Sequence, residues 1–431
     1  MGRLRSWRLW LYAVVVDGLF FPQREALGFD ARESTPGFKR QMIVLMSETR
    51  SFKRASLVME RGFSLSVSAS TIERIGLEVG HDLALAEQSQ WQNVLTGEVT
   101  KPDLAIVEFD GGRIRTRMMG CGPGVHLASK GWNESKHAIF IHATSETSET
   151  DPEPDPPACF LNADHVAKLT EKAKIKGERG ADDSLPDQDA QLVEHDLTEK
   201  ASLGHKPQQV MRTVLSSMKN STDFGIQMAR EATRRRFGEA SRKAFVADGL
   251  TCNWTIQQTH FPDYTPILDF THAVTYLFKA SVACLGKTDE AWDAYIRWMT
   301  EVWRGNVNDV IDELKLLQGK VGLPPDGASD DDPREQLRQV IGYLGNNRSR
   351  MKYPEYRKAG LPGTSAWMES TVKEVNYRTK GTEMFWNNPV GAEAILQIRS
   401  AALSDDDRLV RFLTHRPGVS TLRRPANKQA A

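Results

Sequence analysis

Three acids stand out by type and position. Asp110 closes the apolar run Leu104 to Phe109, and Asp248 closes the run Lys243 to Ala247. Glu369 falls in the first turns of a helical pattern capped by Thr364 or Ser365. In an α/β sheet neighbouring strand ends converge, so two aspartates and a helix-borne glutamate can meet at metal-binding distance. Hard carboxylate oxygens without nearby Cys or His partners favour Mg²⁺ or Mn²⁺ over zinc. Two such ions about 3.5–4 Å apart activate a water or a 3′-hydroxyl and stabilise the leaving oxygen in phosphodiester cleavage and transfer. Asp110-Gly111 and Asp248-Gly249 are equally the chemistry of tight turns, and spacing alone leaves both readings open.

The elements that must position these acids are spread over a chain of 431 residues, enough for two to four domains. Fifty-six Lys and Arg balance 56 Asp and Glu, and 40% hydrophobic with 26% charged residues is an ordinary globular composition. That excludes a membrane protein, a collagen-like chain and a wholly disordered one. Cys121, Cys159, Cys252 and Cys284 form no Cys-x-x-Cys pair, which argues against a zinc ribbon or a disulfide scaffold and for a reducing cytoplasm. Arg3, Arg5 and Arg8 before the apolar run Leu9 to Val16 imitate a signal peptide, but Asp17 closes the run and no small-residue cleavage site follows. A cytoplasmic location is expected, with no membrane partner.

Residues 35 to 100 read as helices. Ser51 caps one carrying Ala55, Leu57, Val58 and Met59, Gly62 breaks it, and Ser68 to Val79 forms a second with Ile72, Ile75 and Val79 on one face. The pair suits a helix-turn-helix presenting Ser70, Thr71, Glu73 and Arg74 outward, and equally an ordinary helical hairpin. From Leu104 the period becomes two: a strand to Asp110, a turn at Gly111-Gly112, a return from Arg113 to Met118, and a third strand over Lys136 to Ala143. Residues 145 to 196 hold 14 acidic against 5 basic side chains, which predicts a solvated, partly disordered insertion dispensable for folding. Pro207 to Arg236 reads as helical, Lys243 to Asp248 and Thr265 to Asp269 as strands, and 273 to 345 as all helical with a break at Gly322 to Pro333.

Taken together, Val107-Glu108-Phe109-Asp110-Gly111-Gly112, Ala247-Asp248-Gly249, Asp269-Phe270-Thr271-His272 and the run Tyr353 to Trp386 resemble DDE transposases of bacterial insertion sequences. The nearest resemblance is to the ISKra group, akin to Mutator-like transposases. Arg357 to Lys373, reading RKAGLPGTSAWMESTVK, is similar to the stretch bearing the family's catalytic glutamate. Lys380-Gly381 with Met384 and Trp386 is similar to its downstream pattern. The resemblance runs from Phe21-Pro22 to about Leu403.

What the resemblance implies is an RNase H-like α/β core, a mixed sheet flanked by helices, with an N-terminal helical region and an all-α insertion. Asp110, Asp248 and Glu369 become the catalytic residues and the ligands of two Mg²⁺ or Mn²⁺ ions. Asp269 and His272 become the Asp-x-x-His signature, supporting the ligands from behind. The expected boundaries are 1–98 for a helix-turn-helix-like DNA-binding region, 99–145 for the first part of the core, and 146–205 for the acidic insertion. They continue with 206–275 for the second part of the core, 276–350 for the helical insertion, 351–403 for the catalytic Glu helix and end of the core, and 404–431 for a basic tail. The implied activity is metal-dependent strand cleavage at an element's ends and strand transfer to target DNA, by a homodimer or larger assembly on double-stranded DNA. Family members often carry a cysteine pair where this chain reads Tyr12 to Gly18, and the arginine pair expected before Lys380 reads Tyr377-Arg378.

Basic clusters supply the expected DNA contacts: Ser70, Thr71 and Arg74 on the second N-terminal helix, Arg234, Arg235 and Arg236 before the second acid, and Lys373, Arg378 and Lys380 after the third. A solvated helix face is the bland reading of any one of them. Trp298 and Trp303 are candidates for stacking on an extruded base, with core packing as the alternative. Two other functions stay open: a catalytically inactive DNA-binding protein descended from a transposase, and a structure-selective nuclease on the same core.

Overall fold

A computed structural model describes residues 35–88, 99–117, 127–178, 205–380, 385–387 and 389–415, with the side chains of all but 127–131 and 172–178. The signal-like run Leu9 to Val16, the Tyr12 to Gly18 segment, Phe21-Pro22, Cys121, Gly381 to Met384 and the tail beyond His415 lie outside the described residues, as does 179–204 of the acidic insertion. Five strands form one sheet: β1 (Leu104–Arg117), β2 (Leu127–Thr144), β3 (Gln208–Ser217), β4 (Arg242–Ala247) and β5 (Thr265–Leu268), in the order β3-β2-β1-β4-β5. β2 runs antiparallel to both neighbours, whereas β1, β4 and β5 are mutually parallel. The sheet is thus mixed, as expected. Leu104 to Val107 are fully buried, as a central strand covered on both faces requires.

Alternation along β1 and β4 decides what each face holds. Phe109 and Phe245 meet Phe224 of helix α5 (Ser221–Arg234) and Trp254 of α6 (Thr251–His260). Glu108, one residue out of phase with Phe109, faces the opposite side, where helix α12 (Ala366–Thr379) lies. Helices α7 (Phe270–Leu285), α8 (Asp289–Trp303), α9 (Val307–Val321) and α10 (Pro333–Asn347) build the helical insertion between β5 and α12, broken between Val321 and Pro333 as the sequence predicts, and the short α11 (Tyr353–Lys358) follows them.

Three expectations are corrected. Gly111-Gly112 is not a turn, because β1 runs through it to Arg117. A Cβ at Gly112 would stand 2.6 Å from His137 Nε2 and 2.9 Å from Ser135 Oγ, so glycine there serves close cross-strand packing. Residues 208–217, expected to be helical, are the edge strand β3, and Asn220 caps α5 after it. Its outer edge is covered: Arg212 N–H donates to Asp405 Oδ2 at 2.7 Å and Val214 N–H to Ser404 Oγ at 3.0 Å.

The third correction concerns the acidic insertion, whose first half is folded. A 3-10 turn (Ala158–Leu161) and helix α4 (Ala163–Glu178) bring Phe160 edge-on to Phe270 at 5.3 Å and bury Val166 completely. Tyr295 donates to Phe160 O at 3.0 Å, Trp303 Nε1 donates to Glu153 O at 2.9 Å, and Arg357 Nε donates to Asp151 Oδ1 at 2.8 Å. Acidic composition hid these contacts, since a few well-placed apolar and paired residues anchor the segment. Deleting 148–200 would remove these contacts, which speaks against the segment's being dispensable for folding. Phe160→Ala should cost about 3–5 kcal/mol in urea unfolding, as expected for a buried phenylalanine. A loss below about 1 kcal/mol would mean that the segment is merely laid on the surface.

The N-terminal helices α1 (Pro36–Glu48), α2 (Phe52–Phe63) and α3 (Ala69–Gln88) dock on the core. Ser51 Oγ accepts from Arg54 N–H at 3.1 Å, as its capping pattern predicts. Gly62 lies inside α2, and Ser64, at φ +55°, ends that helix. α3 extends past Val79 because it crosses α13 (Pro389–Ala402) at backbone contact: a Cβ at Gly80 would lie 2.1 Å from Ala394 O.

Candidate active site

Asp110 sits where β1 loses its parallel partner. The β1–β4 pairing ends at Phe109 with Ala247, so Asp110 and Asp248 are the next residues on two adjacent strands, with backbones about 4.8 Å apart in an ideal ladder. Beyond this point β1 continues paired to β2, with His137 opposite Asp110. Asp110 is buried and Asp248 half-buried. The Asp248 carboxylate is held by two donors: Leu250 N–H at 3.1 Å and Asn253 Nδ2 at 2.5 Å, both to Oδ1. Its carbonyl accepts from the Tyr343 hydroxyl at 2.8 Å. Gly249, at φ +92°, lets the chain turn away under Tyr343; a Cβ there would meet that ring at 2.9 Å.

Glu369 is half-buried near the start of α12. The side chain of Ser365 makes no cap bond for that helix, and two buried carboxylates from the sheet side take its place. Ser365 N–H donates to Asp269 Oδ1 at 3.1 Å, and Met368 N–H donates to Glu108 Oε2 at 2.8 Å. The third acid is therefore mounted on a helix whose first turn is gripped from within β1 and from just beyond the end of β5. Negative charge also suits a helix N-terminus electrostatically.

The Asp269–His272 pair is a closed hydrogen-bonded unit: His272 Nδ1 lies 2.7 Å from Asp269 Oδ2, and Asp269 is fully buried. Burial alone would raise the Asp269 carboxyl, but the His272 hydrogen bond and charge, with the Ser365 N–H, hold it below the ordinary carboxylate range. Glu108 behaves oppositely. Burial, opposed only by the Met368 N–H and reinforced by Asp269 and Glu369, pushes its carboxyl well above the usual range. Its Oε1 is buried with no hydrogen-bond partner. Sequence reasoning passed over Glu108, although one signal was there: it is the charged residue inside an otherwise apolar run, two positions before Asp110 and on the same face.

Several expected DNA contacts are corrected. Arg234 is half-buried, with its side chain 5% exposed and lying 2.9 Å from Glu231 and 3.4 Å from Glu87, and Arg235 is buried beside it. Arg378 is fully buried, its guanidinium 4.5 Å from the Phe52 ring and 5.6 Å from Trp386, with Nε donating to Met46 O. None of these three presents its charge to a phosphate here. Trp298 and Trp303 are core residues: Trp303 packs on Phe270 at 4.8 Å and carries Arg357 over its ring at 4.1 Å, so neither indole offers a free face to a base. Ser70, Arg74 and Lys373 are exposed and Thr71 half-buried beside Ser68. Arg236 is exposed and paired with Glu239 at 2.6 Å, and Lys380 lies 5.2 Å over the Trp132 ring.

Among the described residues, no group of three or more His, Cys, Asp or Glu side chains is gathered closely enough to hold a metal ion, and no helix is long and apolar enough to cross a membrane. No family model matches the chain, and no curated protein matches it. Among solved structures it is similar to a Drosophila P element transposase strand transfer complex, with a TM-score of 0.36 and 11% identity over 90% of this chain and 96% of that one. At that level of likeness, the reading of the site rests on the residues themselves.

Proposed function

We propose that this chain is a DDE-type transposase, cutting and joining DNA on an RNase H-like core with Asp110, Asp248 and Glu369 as its catalytic carboxylates. The observation that carries this reading is the register that sets Asp110 beside Asp248 where β4 ends, with Glu369 on a helix anchored at its first turn to the same sheet. The parallel pairing of β1 with β4 ends at these acids, and the crevice beyond parallel strand ends is where α/β sheets bind ligands.

The donor set fits Mg²⁺ or Mn²⁺, being all carboxylate oxygen. Two bound ions would supply the Lewis acidity that activates the attacking hydroxyl and stabilises the leaving oxygen. The protein's own part is placement. Asn253 and Leu250 orient the Asp248 carboxylate, the β1–β2 pairing fixes Asp110, and Glu108 with Asp269 holds the helix of Glu369. Ser70, Thr71 and Arg74 on α3 belong to the DNA-recognition surface, and two copies of the chain hold paired ends.

The test uses purified protein and duplex DNA taken from the flanks of its own gene. Mg²⁺ or Mn²⁺ should support strand cleavage, Ca²⁺ should support binding without cleavage because of its looser coordination shell, and chelation should abolish cutting. Protein that binds these duplexes tightly yet never cuts them in either metal would be an inactive DNA-binding descendant instead.

A further inference from the structure

Helix α7 leaves the sheet at Asp269 and carries Tyr276 one turn beyond His272, on the same helix face. The start of that face is fixed, because His272 Nδ1 lies 2.7 Å from Asp269 Oδ2. The Tyr276 ring stacks on Tyr343 of α10, with centroids 3.7 Å apart and planes 7° from parallel. Tyr343 in turn donates its hydroxyl to Asp248 O at 2.8 Å, and a Cβ on Gly249 would touch its ring. Tyr276 is therefore braced against the residues that follow β4, and it is half-buried. The hydroxyls of Tyr295, Tyr343, Tyr353 and Tyr356 donate to the backbone carbonyls of Phe160, Asp248, Leu268 and Pro266. That of Tyr276 makes no hydrogen bond among the described residues.

We propose that Tyr276 is a substrate-contacting residue, its hydroxyl donating to a non-bridging oxygen of the DNA backbone phosphate next to the scissile one. The inference rests on the function given above, and deepens it by naming a side chain that holds the substrate beside the acids. Phenylalanine would stack on Tyr343 equally well, so the hydroxyl adds nothing to the packing and its partner comes from outside the chain. Burial, and after it the charge of Asp248, raise this hydroxyl above the ordinary tyrosine value. It is thus a donor at neutral pH, and it stands close enough to Asp248 to feel that carboxylate. A donor without charge suits this place. Asp110, Asp248 and Glu369 repel a phosphate, and a lysine or arginine here would pair with Asp248 and compete with the metal ions for it. A neutral hydroxyl holds the phosphate and leaves the carboxylate to the metals. Tyr343, and not Tyr276, is bonded to Asp248 itself, so the Tyr276 hydroxyl reaches beside the acid, which suits the neighbouring phosphate and not the one being cut.

The test uses full-length protein, Mg²⁺ or Mn²⁺, and the duplex from the flanks of its own gene, with a single uncharged methylphosphonate linkage placed in turn at each phosphate adjoining the cut. In wild-type protein one of these linkages should slow single-turnover cleavage about tenfold or more, the size of a hydrogen bond to a charged acceptor. Tyr276→Phe should slow cleavage of the unmodified duplex by a similar factor, and that same linkage should slow the variant no further. This coupling is a ratio of two DNAs on one protein, so a partly unfolded preparation does not imitate its loss. Thermal unfolding of Tyr276→Phe should match wild type, because no internal hydrogen bond is removed. Should that variant fail to fold, Tyr276→Met, which gives up ring and hydroxyl together, must show the same missing coupling. Wild-type protein that cuts, beside a Tyr276→Phe variant that cuts equally fast or stays equally sensitive to every linkage, overturns the inference and leaves the proposed function standing. Wild-type protein that cuts in neither metal removes the proposed function, and the inference with it.

Discussion

Asp110→Asn, Asp248→Asn and Glu369→Gln, each made alone, should lower strand cleavage by about a hundredfold or more, roughly 2.7 kcal/mol of barrier, with little change in DNA binding. Each replacement keeps the shape of the side chain and removes one hard anionic oxygen donor. Asn at 248 can still accept from Leu250 N–H and face Asn253, so the turn after β4 should survive and the loss should lie in chemistry. Gln at 369 leaves α12 anchored, because its first turn is held by Asp269 and Glu108. Binding should persist, and even tighten, as negative charge leaves a cleft that must accept phosphate. The measurement pairs cleavage rates in Mg²⁺ with anisotropy in Ca²⁺. Unchanged cutting in all three variants would remove these acids from the chemistry. Equal loss of cutting and binding would make their role structural.

How much of this site was legible in the sequence differs from residue to residue. Asp248 and Asp269 follow short apolar strands, so local pattern sufficed, and the structure keeps both strands within a residue of their expected bounds. Asp110 was found for a partly wrong reason. The Gly111-Gly112 turn inferred after it is a straight ribbon, and what marks the position is the end of β4, a nonlocal event that no pattern in β1 records. Glu108 was hidden because alternation assigns it to a buried face, where a carboxylate is costly without a partner, and its partner is the backbone of Met368 some 260 positions away. β3 was lost for a related reason. An edge strand with a polar outer end has a weak period of its own, and it is secured by Asp405 and Ser404 from the far end of the chain.

Charge misled in the same way. The run Arg230 to Lys243 looks like a phosphate-binding patch in sequence, yet most of its cations pair with carboxylates of the same chain. Arg230 and Arg234 pair with Glu87, Arg236 with Glu239, Arg242 with Asp103 and Lys243 with Asp263. A cluster counted along the chain measures only local charge, whereas a DNA surface requires that the third dimension leave the cations unspent.

The largest stability effect should come from the buried ion group that ties the C-terminal helix (Arg408–His415) to α5 and β3. Glu231, fully buried, accepts from Arg408 at 2.6 Å, from the Thr213 hydroxyl at 2.6 Å and from Arg234 at 3.1 Å, while Arg408 is shared with Asp406 at 2.8 Å. Burial would raise the Glu231 carboxyl, but the Arg408 and Arg234 charges and the hydrogen bonds from Arg408 and Thr213 pull it far below its ordinary value. A depressed carboxyl contributes stability that is present above the unfolded value, about pH 4.3, and is lost as pH falls towards the folded one. Glu231→Gln should therefore cost about 3–5 kcal/mol at pH 7, since it leaves two buried guanidinium groups short of their shared anion. It should also flatten the decline in stability below about pH 4.3, because the group that titrates there is gone. Glu231→Leu combined with Arg408→Met removes both charges, and should recover most of the loss, as hydrophobic replacement of a buried pair commonly does. Guanidinium unfolding at several pH values reads all three. A Glu231→Gln variant within about 1 kcal/mol of wild type, with its acid limb unchanged, would show that Asp406 alone suffices to hold Arg408 and that the C-terminal helix is anchored by packing.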